Sequence, residues 1–373
     1  MACTTWSTQR TAFMLVAALC LGTALAGCSK ETTSAPRDGA CETVSPPVAS
    51  AAATTSTGSG ALPDGSRLRV GLALANGRGD GGFNDAAAAG LDRAKAELHL
   101  ADTRETAAAL GEGPAVLAGR LRQLASNGFN PVIAQGFLYL EPIQTVAKEF
   151  PQVQFAILDA PASGPNLRGL SFAEEQGAFL AGVIAARKSK ACHVGFIGGV
   201  DIPLIHKFGA GFKAGAEAAA PKVKVDSRYL TAAGDLAGFI SPDKGSEAAK
   251  GFIDGGADVL FHSAAASGKG VVAAAHAAHV LAIGCDADQY TQPVMAEYKD
   301  AIITSMIKRL DVAVFEYLRA IAANDLSKLP TVFDLRNDGL TYATSGGRVD
   351  DLKADLDAYK AAIISGAIKV PQQ

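Results

Sequence analysis

Two phenylalanines and a set of carboxylates stand at matching places in the two halves of this sequence. Val70-Gly71 and Val194-Gly195 each open an apolar run; Phe83 lies 13 residues after Val70, and Phe208 lies 14 after Val194. Seven residues beyond each ring comes a glycine, Gly90 or Gly215. Further on, Val132 and Val259 sit in short apolar runs, and each is followed after 27 residues by an aspartate, Asp159 or Asp286. Asp80 and Asn84 flank Phe83. Such a set suits a flat, neutral ligand rich in hydrogen-bonding groups. Two facing rings can sandwich a planar base, a contact worth about 1–3 kcal/mol per base in nucleic-acid sites. Carboxylates accept charge-assisted bonds from ring N–H groups or sugar hydroxyls, and the same acids repel a phosphate. Either ring alone fits a core position under its helix; their shared offset favours a pocket.

Other chemistries find less support. Gly77-x-Gly79-x-x-Gly82 with Asp102 twenty residues on imitates a dinucleotide fingerprint, but Asp102 falls before the second expected strand, whereas a ribose-binding acid belongs at its end. Arg78-Gly79-Asp80 matches a short adhesion tripeptide, yet Asp80 is better placed as a pocket residue. There is no GxSxG elbow or HExxH helix. His276 and His279 lack a third ligand, which favours a solvated helix face over a metal site. Neither a metal nor a cofactor is expected. His206, two residues before Phe208, is placed to rim the cleft. Lys308 either reaches the carboxylates from the hinge side or is a plain surface lysine.

The elements that must position these groups alternate in type. Arg69–Ala75, Pro131–Ala134 and Phe155–Leu158 are predicted strands, and 85–98, 115–127 and 140–149 predicted helices. Alternation of this kind implies right-handed βαβ units and a parallel sheet, with ligands bound at the carboxyl ends of the strands. The matched offsets predict two similar α/β lobes, joined by a hinge with their ligand edges facing, rather than one long doubly wound sheet. Lobe one is expected at 67–170 plus about 302–328, and lobe two at 171–290 plus about 329–368.

A hydrophobic share of 49% in 373 residues suffices for sizeable cores. A net charge of −3 carries no sign of nucleic-acid binding. Residues 1–27 hold an apolar run ending in small residues, the pattern of an export signal. The run ends Leu25-Ala26-Gly27-Cys28, similar to the bacterial lipobox, so Cys28 is the expected lipidated residue, the alternative being an ordinary cysteine after an ordinary cleavage site. Residues 28–66, rich in Ser, Thr, Ala, Pro and Gly, read as a flexible tether. Once Cys3, Cys20 and Cys28 are assigned to signal and lipid, Cys41, Cys192 and Cys285 remain. An odd number leaves their pairing open.

At these residues the chain resembles the basic membrane lipoprotein, or PnrA-like, family of ABC-transporter substrate-binding lipoproteins, from about Arg69 to Leu318. Asp80-Gly-Gly-Phe83-Asn84 is similar to the family's DxxFN loop. Ser171-Phe172-Ala-Glu-Glu-Gln-Gly is similar to its next signature, and Val194-Gly-Phe-Ile-Gly-Gly-Val-Asp-Ile-Pro-Leu-Ile-His-Lys-Phe208 to its most distinctive stretch. Asp286-Ala-Asp288-Gln289 and Ser305-Met-Ile-Lys308-Arg-Leu-Asp311 complete the match. The resemblance implies a type I periplasmic-binding-protein fold, two Rossmann-like lobes with parallel sheets and a hinge. It implies purine nucleoside binding with Phe83 and Phe208 stacking on the base, and Asp80, Asn84, Asp159, Asp286 and Lys308 as polar contacts. Gly268 joins them through the loop 264–270, where the family has AGGTGxG and this chain has Ala-Ala-Ala-Ser-Gly-Lys-Gly. Two β-carbons replace hydrogens there, and His206 stands where the family commonly has arginine. The expected protein is therefore a lipid-anchored binding protein at the outer side of the cell membrane, passing a solute, expected to be a nucleoside, to an ABC permease. A lipoprotein that presents its ligand to a membrane receptor is the alternative, with an exported NAD-dependent oxidoreductase a distant third.

Overall fold

The computed structural model describes residues 41–47, 61–109 and 111–373. The expected signal segment, Cys28 and most of the tether lie outside them. Among the described residues no helix is long and apolar enough to cross a membrane.

Lobe one runs through β1 (Arg69–Leu74), α1 (Phe83–Glu97), β2 (Asp102–Ala107), α2 (Pro114–Ser126), β3 (Val132–Gln135), α3 (Leu140–Glu149), β4 (Phe155–Leu158), β5 (Ser163–Gly164) and β6 (Leu167–Phe172). Lobe two follows with α4 (Glu174–Lys188), β7 (His193–Val200), α5 (Pro203–Ala219), β8 (Lys224–Thr231), α6 (Pro242–Asp254), β9 (Val259–Ser263), α7 (Gly268–Ala277), β10 (Leu281–Asp286) and β11 (Ile302–Lys308). The chain ends in α8 (Leu310–Ala322), β12 (Val332–Phe333), β13 (Leu340–Tyr342) and α9 (Lys353–Ile364). Two separate sheets form, ordered β12-β6-β4-β3-β1-β2 and β13-β11-β10-β9-β7-β8, so the two-lobed expectation holds against the single long sheet. Apart from β5 and β13 every pairing is parallel. Every residue of the central strands β3, β4, β7 and β9 is buried, as parallel strands covered on both faces require.

The return crossing differs from the expected boundaries. β11 pairs with β10 and belongs to the second sheet, whereas 302–328 had been expected in lobe one; only α8 packs there, against α1. β12 pairs with β6 in the first sheet, inside the stretch expected in lobe two, while β13 and α9 do join lobe two. A short apolar run shows that a strand forms, not which sheet edge it meets, and two edges were within reach.

The paired glycines have a packing reason. A β-carbon on Gly90 of α1 would lie 2.6 Å from the Asp311 carbonyl oxygen of α8, and one on Gly215 of α5 would lie 1.9 Å from the Phe179 carbonyl oxygen of α4. Each lobe thus presses the helix after its first strand against a partner helix at a position where no side chain fits.

The open question of the cysteines resolves into a disulfide between Cys41 and Cys192, with Cα atoms 4.7 Å apart, and a buried Cys285 thiol. Residues 41–47 lie along lobe two, where the Val44 N–H donates to the Ala219 carbonyl at 2.9 Å.

Candidate functional site

Both sheets end at the cleft with the same device. Asp159, just after β4, and Asp286, the last residue of β10, each adopt a φ of 67°, a left-handed backbone that non-glycine residues hold at a cost of about 1–3 kcal/mol. The turn swings each carboxylate out of its strand.

Lys308 ends β11 between them and is only 3% exposed. Its ammonium donates to Asp159 Oδ1 at 2.7 Å and lies 3.5 Å from Glu174 Oε1, at the start of α4. It sits 5.5 Å from the Phe83 ring centroid, 5.4 Å from that of Phe208 and 5.6 Å from that of Phe172, a cation–π enclosure. Rings from the two lobes therefore converge on one ammonium. Burial by itself would lower the Lys308 pKa, but Asp159, Glu174 and Asp286 together hold it above its ordinary value. Burial pushes the Glu174 carboxyl up to about 7, with Asp159 adding to the rise while Lys308 and Lys207 oppose it. Asp286 is also raised, first by burial and then by Asp159 and Asp80, against the pull of Lys308.

The other expected site residues fall into distinct roles. Asp80 accepts hydrogen bonds from the Gly82 N–H (2.9 Å), the Asn84 N–H (2.9 Å), the Asn84 Nδ2 (2.8 Å) and the Asp85 N–H (3.2 Å). It satisfies the first free N–H groups of α1, as a capping carboxylate does. The Asn84 Oδ1 accepts from the Asn76 N–H at 3.0 Å. These two residues shape the loop that presents Phe83. Phe83 is half-buried, whereas Phe208 is 1% exposed and also belongs to the core, so its core and pocket readings both describe it. Gly268 is buried at the start of α7, and a β-carbon there would lie 2.1 Å from the His262 ring. In the same loop Ala265 takes a φ of 46°, where glycine is the usual residue.

His206 bonds Asp201 at 2.6 Å and lies 5.1 Å, centroid to centroid, from Tyr229. It lines a depression of about 520 Å³ formed by the outer face of α5, β8 and the last residues of the chain. Arg78 is tied to Asp92 at 2.7 Å and to Glu105, and Asp102 opens β2 paired with Arg69 at 3.1 Å; neither approaches a dinucleotide arrangement. His276 bonds Asp300, and no group of metal ligands forms among the described residues.

Sequence reasoning passed over Phe172, Glu174 and Gln135. Phe172 and Glu174 stand in the second of the family-like stretches, which was the available signal. Gln135, at the end of β3, carries none. The Gln292 amide of lobe two donates to the Gly81 carbonyl of lobe one, so the two lobes touch there.

Comparison with known proteins adds to this geometry. Residues 68–373 match the model of the family described as ABC transporter substrate-binding protein PnrA-like. A CD4+ T-cell-stimulating antigen of Listeria monocytogenes is 31% identical over 267 residues, covering 68% of this chain and 73% of that one. An ABC transporter nucleoside-binding protein, BmpA, of Lactococcus lactis is 27% identical over 319 residues, covering 80% and 87%. Among solved structures, an ABC transporter solute-binding protein of Conexibacter woesei superposes with a TM-score of 0.64 at 28% identity, over 82% of this chain and 99% of that one. One from Aeropyrum pernix gives 0.66 at 25% identity, over 82% and 94%.

Proposed function

This chain belongs to the family of PnrA-like ABC transporter substrate-binding proteins, and from that premise we propose that it captures a purine nucleoside between its two lobes. As a member of that family it is a binding protein, not an enzyme. In the proposed cycle the lobes close about the strands that cross between them, and the closed form docks on a permease in the cytoplasmic membrane. A ligand drives closure only by the contacts it gains in the closed form. Cys28 carries the lipid that holds the protein at the outer side of the membrane.

The observation that carries the nucleoside reading is the convergence of Phe83 and Phe208, one from each lobe, within 5.5 Å of the Lys308 ammonium. Around that point stand Asp159 and Asp286, acceptors for base N–H groups and ribose hydroxyls. Asp80 and Asn84 hold the loop that presents Phe83. The name of the Lactococcus relative points the same way.

The test is a thermal-shift titration with purine nucleosides, free bases and sugars. Purine nucleosides are expected to raise the melting temperature, and Phe83→Ala to abolish the shift while leaving the unliganded protein folded. A shift with sugars alone, or a Phe83→Ala variant that binds nucleosides as the parent does, defeats the reading.

A further inference from the structure

Gln135 is fully buried at the carboxyl end of β3, the ligand edge of lobe one. Its backbone is aligned with Leu158 of β4, the residue before Asp159. Its side-chain amide reaches past the strand end, and Nε2 donates to the carbonyl of Phe83. That bond fixes which way round the amide sits. With the nitrogen committed, Oε1 faces away from Phe83 O; it is buried and has no partner among the described residues. An unsatisfied buried carbonyl oxygen is costly, on the order of 1–3 kcal/mol, and few are left so without cause.

The surroundings say what is suited to it. Gly136 follows with a φ of 91°, and a β-carbon there would sit 3.7 Å from the Phe83 ring. The end of β3 therefore runs alongside that ring, and Gln135, bonded to the Phe83 backbone, is held beside it. Asp159, the nearest carboxylate along the sheet edge, has one oxygen on Lys308. Gln135 thus supplies a neutral acceptor beside an aspartate that is already bonded to Lys308.

We propose that Gln135 Oε1 is a specificity determinant that accepts a hydrogen bond from an N–H on the edge of the stacked base, so that the site requires a donor there. This rests on the nucleoside reading above and deepens it. A site built to bond a donor rejects an analogue lacking it more strongly than an apolar pocket rejects a missing methylene.

The experiment measures affinities of the full chain by calorimetry for three pairs that differ by one edge donor: adenosine and purine riboside, guanosine and inosine, inosine and 1-methylinosine. It adds 2′-deoxyadenosine as the hydroxyl control. The parent protein is expected to prefer the donor-bearing member of at least one pair by about tenfold to a hundredfold. In Gln135→Met, which keeps the length and loses the acceptor, that preference is expected to vanish. If the parent binds all three pairs without preference, or discriminates only at the 2′-hydroxyl, the role of Gln135 is wrong whether or not the variant folds. It is equally wrong if Gln135→Met folds and retains the preference. Failure of the parent to bind any nucleoside instead removes the nucleoside reading itself, and this inference with it.

Discussion

The two sheets reach the cleft with the same backbone and finish it with different partners. Asp159 and Asp286 share a φ of 67° at equivalent strand ends. Asp159 is 7% exposed and bonded to Lys308 at 2.7 Å. Asp286 forms no ion pair among the described residues and feels Lys308 only through space. The asymmetry has one source. Lys308 ends β11, which pairs beside β10, yet its side chain crosses to the opposite lobe. One carboxylate is thereby used to hold the lobes together, and the other keeps no cation partner among the described residues. Two copies of a supersecondary unit can supply the same acid and still assign it to different work.

Removing the lysine should have the largest effect. Lys308→Met leaves Asp159 and Glu174 buried without their cation, and breaking a buried pair in this way costs about 3–5 kcal/mol. Guanidinium unfolding measures it; a loss below about 1 kcal/mol would show that the pair does not bind the lobes together. Asp286→Asn should separate the two aspartates. Its acid is held above its ordinary range, so the charged form is disfavoured in the fold and removing it leaves stability at neutral pH unchanged or higher. Nucleoside affinity should fall about tenfold or more in the same variant. Destabilisation as large as that of Lys308→Met would erase the distinction.

The smallest effect is a pH dependence. Glu174 titrates at about 7 in the fold against an ordinary 4.5. The native state therefore holds the proton more tightly, and its contribution to stability, full below pH 4.5, is lost as pH rises towards 7. Glu174→Gln keeps the shape without the titration and should flatten that fall in melting temperature. Parallel curves for the two proteins would place the acid elsewhere.

Much of the cleft was legible in the sequence because it repeats. Strand, loop and helix are local, so an acid at a strand end or a glycine at a helix crossing recurs at a fixed offset in each copy. The matched offsets of Phe83, Phe208, Asp159 and Asp286 come from that recurrence, and the structure gathers both rings and Asp159 around Lys308. Gly268 came from motif alignment, and its immediate neighbour is His262, a contact no offset announces.

The sequence by itself determined the two α/β units, the family and the matched offsets of two rings and two acids. Each follows from patterns within a few tens of residues, where backbone period and loop chemistry act directly. Only the tertiary structure decided that Lys308 binds across to Asp159, that Glu174 and Phe172 enclose it, that Gln135 keeps a free oxygen at the strand end, and that Cys41 meets Cys192. Those contacts join residues brought together by the crossings between lobes, and chain distance carries no trace of which sheet edge a returning strand will join.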